Sequence, residues 1–151
     1  MPPDDSPNQR WAILRHDHPW LHWDLLLERP DAPAATTWRL LRVPCCNEPI
    51  AAQALPDHRT VYFDYEGPVS GGRGSVERLA RGTWCEQSPE STPAALAGQR
   101  LLYAVRFFGT VHFSAGLLTS TPDGRLFWTF TTIPPDVRYE SHSPLVPPKN
   151  S

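Results

Sequence analysis

Three of the six histidines lie within a stretch of nine residues, 16–24 (HDHPWLHWD). Alternate side chains of a β-strand point to one face, so we expect His22 and Asp24 to project together. His16 ends the preceding β-prone segment, and a turn would bring it back over the same face. Two imidazoles and one carboxylate form a common ligand set for a catalytic divalent metal ion. The spacing therefore predicts a metal site at His16, His22 and Asp24, with His18 open as an alternative to His16.

A second polar group follows at 57–67 (DHRTVYFDYEG). If this segment is a strand, His58 and Tyr62 share one of its faces. An imidazole and a phenol there could donate hydrogen bonds to a phosphate oxygen or assist a leaving group. The pair is a candidate catalytic pair, and the alternative is an exposed histidine beside a core tyrosine.

The glycine-rich segment and the cysteines are interpreted as structural rather than catalytic. The glycine-rich segment 70–75 (SGGRGS) does not match GxGxxG and does not open a helix, so we interpret it as a tight β connection. No GxSxG, HExxH or kinase motif occurs. The three cysteines include no CxxC pair, which argues against a disulfide framework and for a reducing compartment.

Size and charge limit the classes of function. A chain of 151 residues fits one domain. The net charge is −2 and the sequence pI is about 6.3, so any contact with nucleic acid must be local. No apolar run approaches the ~18 residues that a membrane helix needs, and the acidic, proline-rich N-terminus is unlike a signal or transit peptide. We expect a cytoplasmic monomer without membrane contacts.

The elements that must position these residues are short and β-prone. Period-two patterning predicts eight strands, at 10–16, 20–28, 37–43, 58–65, 75–84, 100–108, 110–119 and 125–132. The turn residues at 122–124 (PDG) predict a hairpin between the last two segments, with Leu126, Trp128 and Phe130 on one strand face. Residues 91–98 predict one short helix.

These elements predict a mainly β fold. We expect a small closed or nearly closed β-barrel of about eight strands, with a sandwich as the alternative and at most one or two short helices. The domain should span residues 10–133. The flanking segments 1–9 and 134–151 are rich in Pro, Ser, Asp and Asn and are predicted to be disordered tails.

The motifs, taken in order, resemble the 3′-phosphoesterase domain of bacterial DNA ligase D. Segment 15–28 aligns without a gap with KHxAxxLHYDxRLE of that family, and segment 57–67 aligns with DHPLDYxxFEG. Segment 37–42 (TWRLLR) resembles SWxxPK, and GTW recurs at 82–84. The resemblance extends over residues 10–132, which is most of the chain.

The resemblance implies a β-barrel with its site on a concave face. It also implies manganese-dependent repair of 3′ DNA ends, with Zn²⁺ or Co²⁺ as alternative metals. A 3′-terminal ribonucleoside and then the 3′-phosphate would be removed, leaving a hydroxyl for a polymerase or ligase. The partners would be DNA or RNA 3′ ends and one of those enzymes.

Residue roles follow from the same alignment. His16, His22 and Asp24 match metal ligands of the family. The positions that match phosphate-engaging residues are catalytic His58 and Tyr62 and phosphate-binding Arg42 and Thr37. In this arrangement the metal polarises the phosphoryl oxygens and the flanking donors stabilise developing charge.

The main departure from the family is Leu26, which replaces an arginine that reaches the phosphate. Losing one transition-state donor can cost about 10²–10³ in rate, so we expect slow hydrolysis and a gain of at least about tenfold in Leu26→Arg. Arg39, Arg59 or Arg73 could supply the missing charge. Two other functions stay open: a homologue that binds nucleic-acid ends or a protein partner without turnover, and an unrelated metal-dependent hydrolase.

Overall fold

The computed structural model describes residues 9–87 and 99–132. Within these ranges the chain forms nine strands and one 3₁₀ helix, Thr60–Phe63, and no helix has the length and apolar character to span a membrane. The predicted helix at 91–98 lies outside the described residues, as do the predicted tails except for Gln9. The strands are β1 (Gln9–His16), β2 (His22–Glu28), β3 (Ala34–Leu40), β4 (Pro49–Arg59), β5 (Gly67–Pro68), β6 (Ser75–Glu86), β7 (Arg100–Phe108), β8 (Ala115–Ser120) and β9 (Leu126–Thr131).

The strands form one antiparallel sheet that closes on itself. Its order is β1-β2-β3-β4-β9-β8-β7-β6-β5, and β6 also pairs with β1 over most of the length of β1. Strand β5 is a short edge beside β6. The described residues thus form a ring of eight strands, which confirms the predicted mainly β, barrel-like fold.

The barrel interior holds the main hydrophobic core. Each strand of the ring contributes inward side chains at alternate positions, as the period of a strand requires. The predicted hairpin is confirmed: Gly124 has a φ of 89° in the turn, and both Trp128 and Phe130 are fully buried. The largest fully buried members of this core are Trp11, Ile13, Leu25, Leu27, Leu40, Ile50, Phe107, Trp128 and Phe130.

Two predicted strands are wrong in part. Only residues 58 and 59 of the predicted strand 58–65 are in a strand, because β4 ends at Arg59 and the 3₁₀ helix follows. Much of β4, at 49–57 (PIAAQALPD), is poor in β-branched residues, and pairing with β3 and β9 overrides its weak propensity. The segment predicted at 110–119 becomes a strand only at Ala115.

The opposite face of β1, β2 and β3 carries a second, smaller cluster. It consists of Ala12, Leu14, Leu26 and Ala35, covered by Phe63 of the 3₁₀ helix. The same outward face therefore has an apolar end under the helix. Its other end bears the polar residues that the sequence singled out.

Candidate metal centre

The pairing of β1 with β2 brings the three predicted ligands together. His16 lies opposite His22 across the two strands, and Leu14 lies opposite Asp24. His22 and Asp24 alternate on β2 and share its outward face. Potential ligand atoms of His16, His22 and Asp24 all lie within 4.8 Å of one another, so this group could hold a metal ion.

Backbone carbonyls orient both imidazoles. His22 Nδ1 lies 2.8 Å from the Trp20 carbonyl, and His16 Nε2 lies 2.9 Å from the Arg73 carbonyl. A carbonyl only accepts, so those nitrogens donate and carry the protons. In the neutral form of each ring, the lone pair is then on His22 Nε2 and on His16 Nδ1, which lie 3.2 Å and 3.6 Å from the Asp24 carboxylate oxygens. Metal-binding histidines are commonly oriented in this way.

The burial of this group suits a cation. His22 is 0% exposed and Asp24 is 2% exposed. His22 Nε2 and Asp24 Oδ1 are buried without a hydrogen-bond partner among the described residues. With a neutral His22 ring, these two atoms are both acceptors, and burying them face to face is costly unless a positive group satisfies both. The donor set therefore fits a divalent metal ion.

The glycine-rich loop supports His16. Residues 69–74 connect β5 to β6, with the Val69 amide donating to the Gly74 carbonyl at 2.7 Å, so the loop is a tight β connection as predicted. Gly74 has a φ of 73°, and a side chain there would collide with Asp17 and His18. The Arg73 carbonyl is thereby held where it accepts from His16. Sequence gave no sign of this role, because the contact joins positions 57 residues apart.

Asp17 is adjacent to His16 but has a structural role. Its Oδ1 accepts a hydrogen bond from the Ser75 amide at 2.8 Å, which ties the end of β1 to the start of β6. That hydrogen bond holds the pKa of the Asp17 carboxyl below its usual value. Asp17 is therefore engaged away from the ligand group.

A groove of about 570 Å³ is lined by His16 and Asp24, while His22 is buried beside them. His58 and Tyr62 lie in its wall, although the bend at Arg59 places them on different elements. Their rings are 5.8 Å apart. His58 Nδ1 lies 3.2 Å from the Pro56 carbonyl, and its Nε2 lies 3.9 Å from Asp24 Oδ2. The two sequence clusters thus meet in one site.

Two predicted phosphate-binding residues are not brought to this groove. Thr37 is 1% exposed and donates its hydroxyl hydrogen bond to the Ala35 carbonyl at 3.0 Å. Arg42 is exposed and contacts Glu48 and the Pro49 carbonyl. Neither lines the groove.

The groove lining also bears on two alternatives that the sequence left open: the choice between His16 and His18, and the arginine that could replace the charge missing at Leu26. His18 lines the groove but is outside the ligand group, so the structure favours His16 over His18 as the ligand. All three arginines considered as replacements for the charge missing at Leu26 line the groove: Arg39, Arg59 and Arg73.

The cysteines lie away from the centre and are free thiols, as the sequence predicts. Burial raises the pKa of the Cys85 thiol above its usual value. Cys45 is exposed, and slight desolvation together with a hydrogen bond to Glu48 raises the pKa of its thiol. Raised values disfavour thiolates, so neither of these residues is a candidate nucleophile.

No protein-family model matches the chain, and no curated protein shows significant similarity to it. The fold and the site define a class on their own: an antiparallel β-barrel with a candidate two-histidine, one-carboxylate metal centre. Within that class, the distinguishing features of this chain are an adjacent histidine–tyrosine pair and three arginines around the groove.

Proposed function

We propose that this protein is a metal-dependent phosphoesterase that acts on the 3′ ends of nucleic acid, with DNA ends as the preferred substrate. The observation that supports this most is the convergence of unpartnered His22 Nε2 and Asp24 Oδ1 under a groove that also contains His58. The ordered motif resemblance supports the choice of a 3′-phosphate or 3′-ribonucleoside substrate.

His16, His22 and Asp24 would hold the metal, for which the resemblance favours Mn²⁺ over Zn²⁺ or Co²⁺. A bound divalent ion would polarise the phosphoryl oxygens and offset developing negative charge. The carbonyls of Trp20 and Arg73 fix the two imidazole tautomers, so the ligand atoms are oriented before any metal arrives.

His58 and Tyr62 are placed to handle protons and charge at the phosphate. Because the Pro56 carbonyl holds Nδ1, His58 directs Nε2 toward the groove, where its protonated form can donate to a phosphoryl or leaving oxygen. The Tyr62 hydroxyl makes no hydrogen bond to a described residue and is free to donate to the same group. Two such donors beside a metal suit phosphate-ester hydrolysis.

Local charge makes an anionic substrate compatible with a net charge of −2. Arg39, Arg59 and Arg73 all line the groove and can contact phosphate oxygens. A nucleic-acid end would therefore be bound at this groove rather than by a broad basic surface. The hydroxyl product would suit a downstream polymerase or ligase.

The decisive experiment is turnover of labelled duplexes that end in a 3′-phosphate or a 3′-ribonucleotide, with Mn²⁺, Zn²⁺ or Co²⁺ added in turn. We expect conversion to a 3′-hydroxyl end that requires metal. His58→Ala should lose turnover while retaining the metal-dependent thermal shift, and His112→Ala, at an exposed histidine outside the groove, should retain both. An inactive wild-type protein with metal bound would refute the proposal.

One observation favours a second candidate, binding of nucleic-acid ends without turnover. Leu26 is completely buried against Phe63 and offers no charge to the groove. A protein that binds 3′-phosphorylated duplexes more tightly than 3′-hydroxyl duplexes, yet never converts them, would support this alternative. RNA ends tested in parallel distinguish the nucleic-acid class.

A further inference from the structure

We propose that Arg39 is the residue of this groove that binds the anionic oxygens of the substrate, and that Trp20 positions it. The inference rests on the proposed function, since phosphate is the anion it assigns. Arg39 lies on β3 and is neither one of the three candidate ligands nor a member of the His58–Tyr62 pair.

Strand register places Arg39 beside the metal group. Arg39 of β3 is the cross-strand partner of Asp24 of β2, and it lines the groove. Side chains that pair directly across antiparallel strands start about 5 Å apart. An anion bound next to the Asp24 carboxylate and its metal would thus lie within reach of the guanidinium.

Arg39 has an unused donor. Within residues 9–87 and 99–132, the buried Nε of Arg39 has no hydrogen-bond partner and no carboxylate forms an ion pair with this side chain. Other arginines of the barrel are paired, as in Arg10–Glu28 at 3.0 Å and Arg29–Asp57 at 2.8 Å. A buried donor left unpaired costs about 1–3 kcal/mol. An incoming anion would satisfy it.

Trp20 holds the guanidinium without consuming its donors. The Arg39 guanidinium carbon lies 5.2 Å from the centroid of the Trp20 ring, which is itself 54% exposed. A guanidinium held over an aromatic ring is attracted electrostatically, so this contact does not require a hydrogen bond from its N–H groups. The in-plane N–H groups therefore stay available for bidentate contact with phosphate.

The other two groove arginines are less suited to this role. Arg73 donates from Nε to the Ser70 carbonyl at 2.7 Å and from Nη2 to the Ser70 hydroxyl at 3.1 Å. Arg59 is exposed, with its guanidinium 6.0 Å from the Tyr62 ring centroid. Arg73 is already engaged and Arg59 is solvated, so the structure assigns the buried, unpaired position to Arg39.

The test is a sulfate titration of the Zn²⁺-loaded protein, followed through arginine Nε–Hε resonances by NMR. Sulfate mimics phosphate and is not hydrolysed. The Arg39 resonance should move on binding, and Arg39→Gln should weaken sulfate binding by about tenfold or more, as expected for hydrogen bonds to a charged group. Arg39→Lys should restore part of the sulfate affinity, because lysine keeps the positive charge but cannot make the paired N–H contacts of a guanidinium.

Trp20 gives a separate readout of positioning. Trp20→Ala should weaken sulfate binding and broaden the Arg39 resonance, and Trp20→Phe should restore both, because a phenyl ring retains the stacking face. The matched control is Arg125→Gln, which removes an arginine that also lies over an aromatic ring, Phe127, but outside the groove. It should leave sulfate affinity unchanged.

The outcomes separate this inference from the proposed function. Unchanged sulfate affinity in a folded, metal-loaded Arg39→Gln variant would overturn the role of Arg39, even if 3′-phosphate turnover is present. Conversely, a sulfate site that depends on Arg39 in a protein without 3′-end turnover would uphold the anion site and reject the proposed function. Turnover at the wild-type rate in Arg39→Gln would also contradict the inference.

Discussion

The two faces of β2 present opposite physical situations within seven residues. Inward, Leu25 and Leu27 are buried in a core that is almost wholly apolar. Outward, His22 and Asp24 are equally buried, but each retains a polar atom without a hydrogen-bond partner among the described residues. The inward face gains free energy from each apolar side chain removed from water, whereas the outward face holds a carboxylate at a cost.

Within the outward face of β2, the two carboxylates Asp24 and Glu28 also differ in their surroundings. The Glu28 carboxylate accepts hydrogen bonds from the backbone amide and from the guanidinium of Arg10. Asp24 Oδ1, in contrast, has no hydrogen-bond donor among the described residues. A partnered carboxylate has a structural role, whereas an unpartnered buried one is explained by a water, an ion or a functional role. The difference indicates which end of the face is a site.

The largest expected change in stability comes from a substitution in the hydrophobic core on the inward face. Phe107 is 1% exposed and packs its ring against Trp11, Phe113 and Phe130. Phe107→Ala should lower the free energy of unfolding by about 3–5 kcal/mol, because it leaves a cavity in the core. Chemical denaturation measures this. The metal-dependent stabilisation should persist in the variant, and its loss would show that the two faces are not separable.

Metal addition should have the next largest effect, on the outward face. A metal present at a hundredfold excess over its Kd should stabilise the protein by about 2.7 kcal/mol. His22→Ala should abolish this shift, and Asp24→Asn should abolish it while leaving the metal-free protein at least as stable as wild type, since a buried charge is removed. Thermal melts with and without Mn²⁺ test both.

The histidine pair in the same stretch provides the control for that experiment. His16→Ala should weaken metal binding, whereas His18→Ala should not, because His18 lies in the groove outside the ligand group. A melting curve of the wild-type protein that does not respond to saturating metal would remove support for the site.

Gly74→Ala should have a smaller effect on stability, and it acts through the loop whose Arg73 carbonyl contacts His16. The left-handed φ of 73° and the close approach of Asp17 and His18 both oppose a side chain, so we expect a loss of about 1–2 kcal/mol. Metal affinity should fall as well, since the Arg73 carbonyl would be displaced. Gly72→Ala, at a φ of 68° with open space around it, is the matched control and should keep metal affinity. Equal metal affinity in both variants would contradict the role of the loop.

Sequence predicted the fold where local patterns are strong. Alternation in 10–16 and 125–132 and the PDG turn predicted strands and a hairpin that the structure contains. It failed at 58–65, where the β-prone TVYF forms a 3₁₀ helix, and at the Ala- and Pro-rich start of β4. At β4 the conformation is decided by pairing with β3 and β9, which leaves no local pattern. At 60–63 no strand pairing occurs among the described residues, and Phe63 instead packs on the outward cluster of β1 to β3.

The candidate site was predictable to a different extent. Strand alternation predicted His22 and Asp24, while the third ligand was expected at His16 with His18 as the alternative. The proximity of His58 and Tyr62 was also predicted, although the expected strand 58–65 ends at Arg59. Burial of Leu26 under Phe63 could not be seen. It changes the expectation for Leu26→Arg, which should now lower stability by inserting a charge into an apolar cluster. Placement of Arg39 beside Asp24 depends on the β2–β3 register, which spacing does not fix.

The smallest effect should come from the partnered carboxylate, Glu28, and it sharpens the contrast with Asp24. Hydrogen bonding to Arg10 holds the pKa of Glu28 below its usual value. The pair therefore stabilises the fold fully above the unfolded pKa of about 4.3, and this contribution is lost as the pH falls through the lower folded value. Because the Arg10 side chain is 40% exposed, the loss in Glu28→Gln at pH 7 should be below about 1 kcal/mol. Denaturation at pH 7, 5 and 3 should show the variant and wild type converging at the lowest pH, with the metal-dependent shift at pH 7 unchanged. A difference that stays constant across this range would mean that Glu28 contributes through packing rather than through its charge.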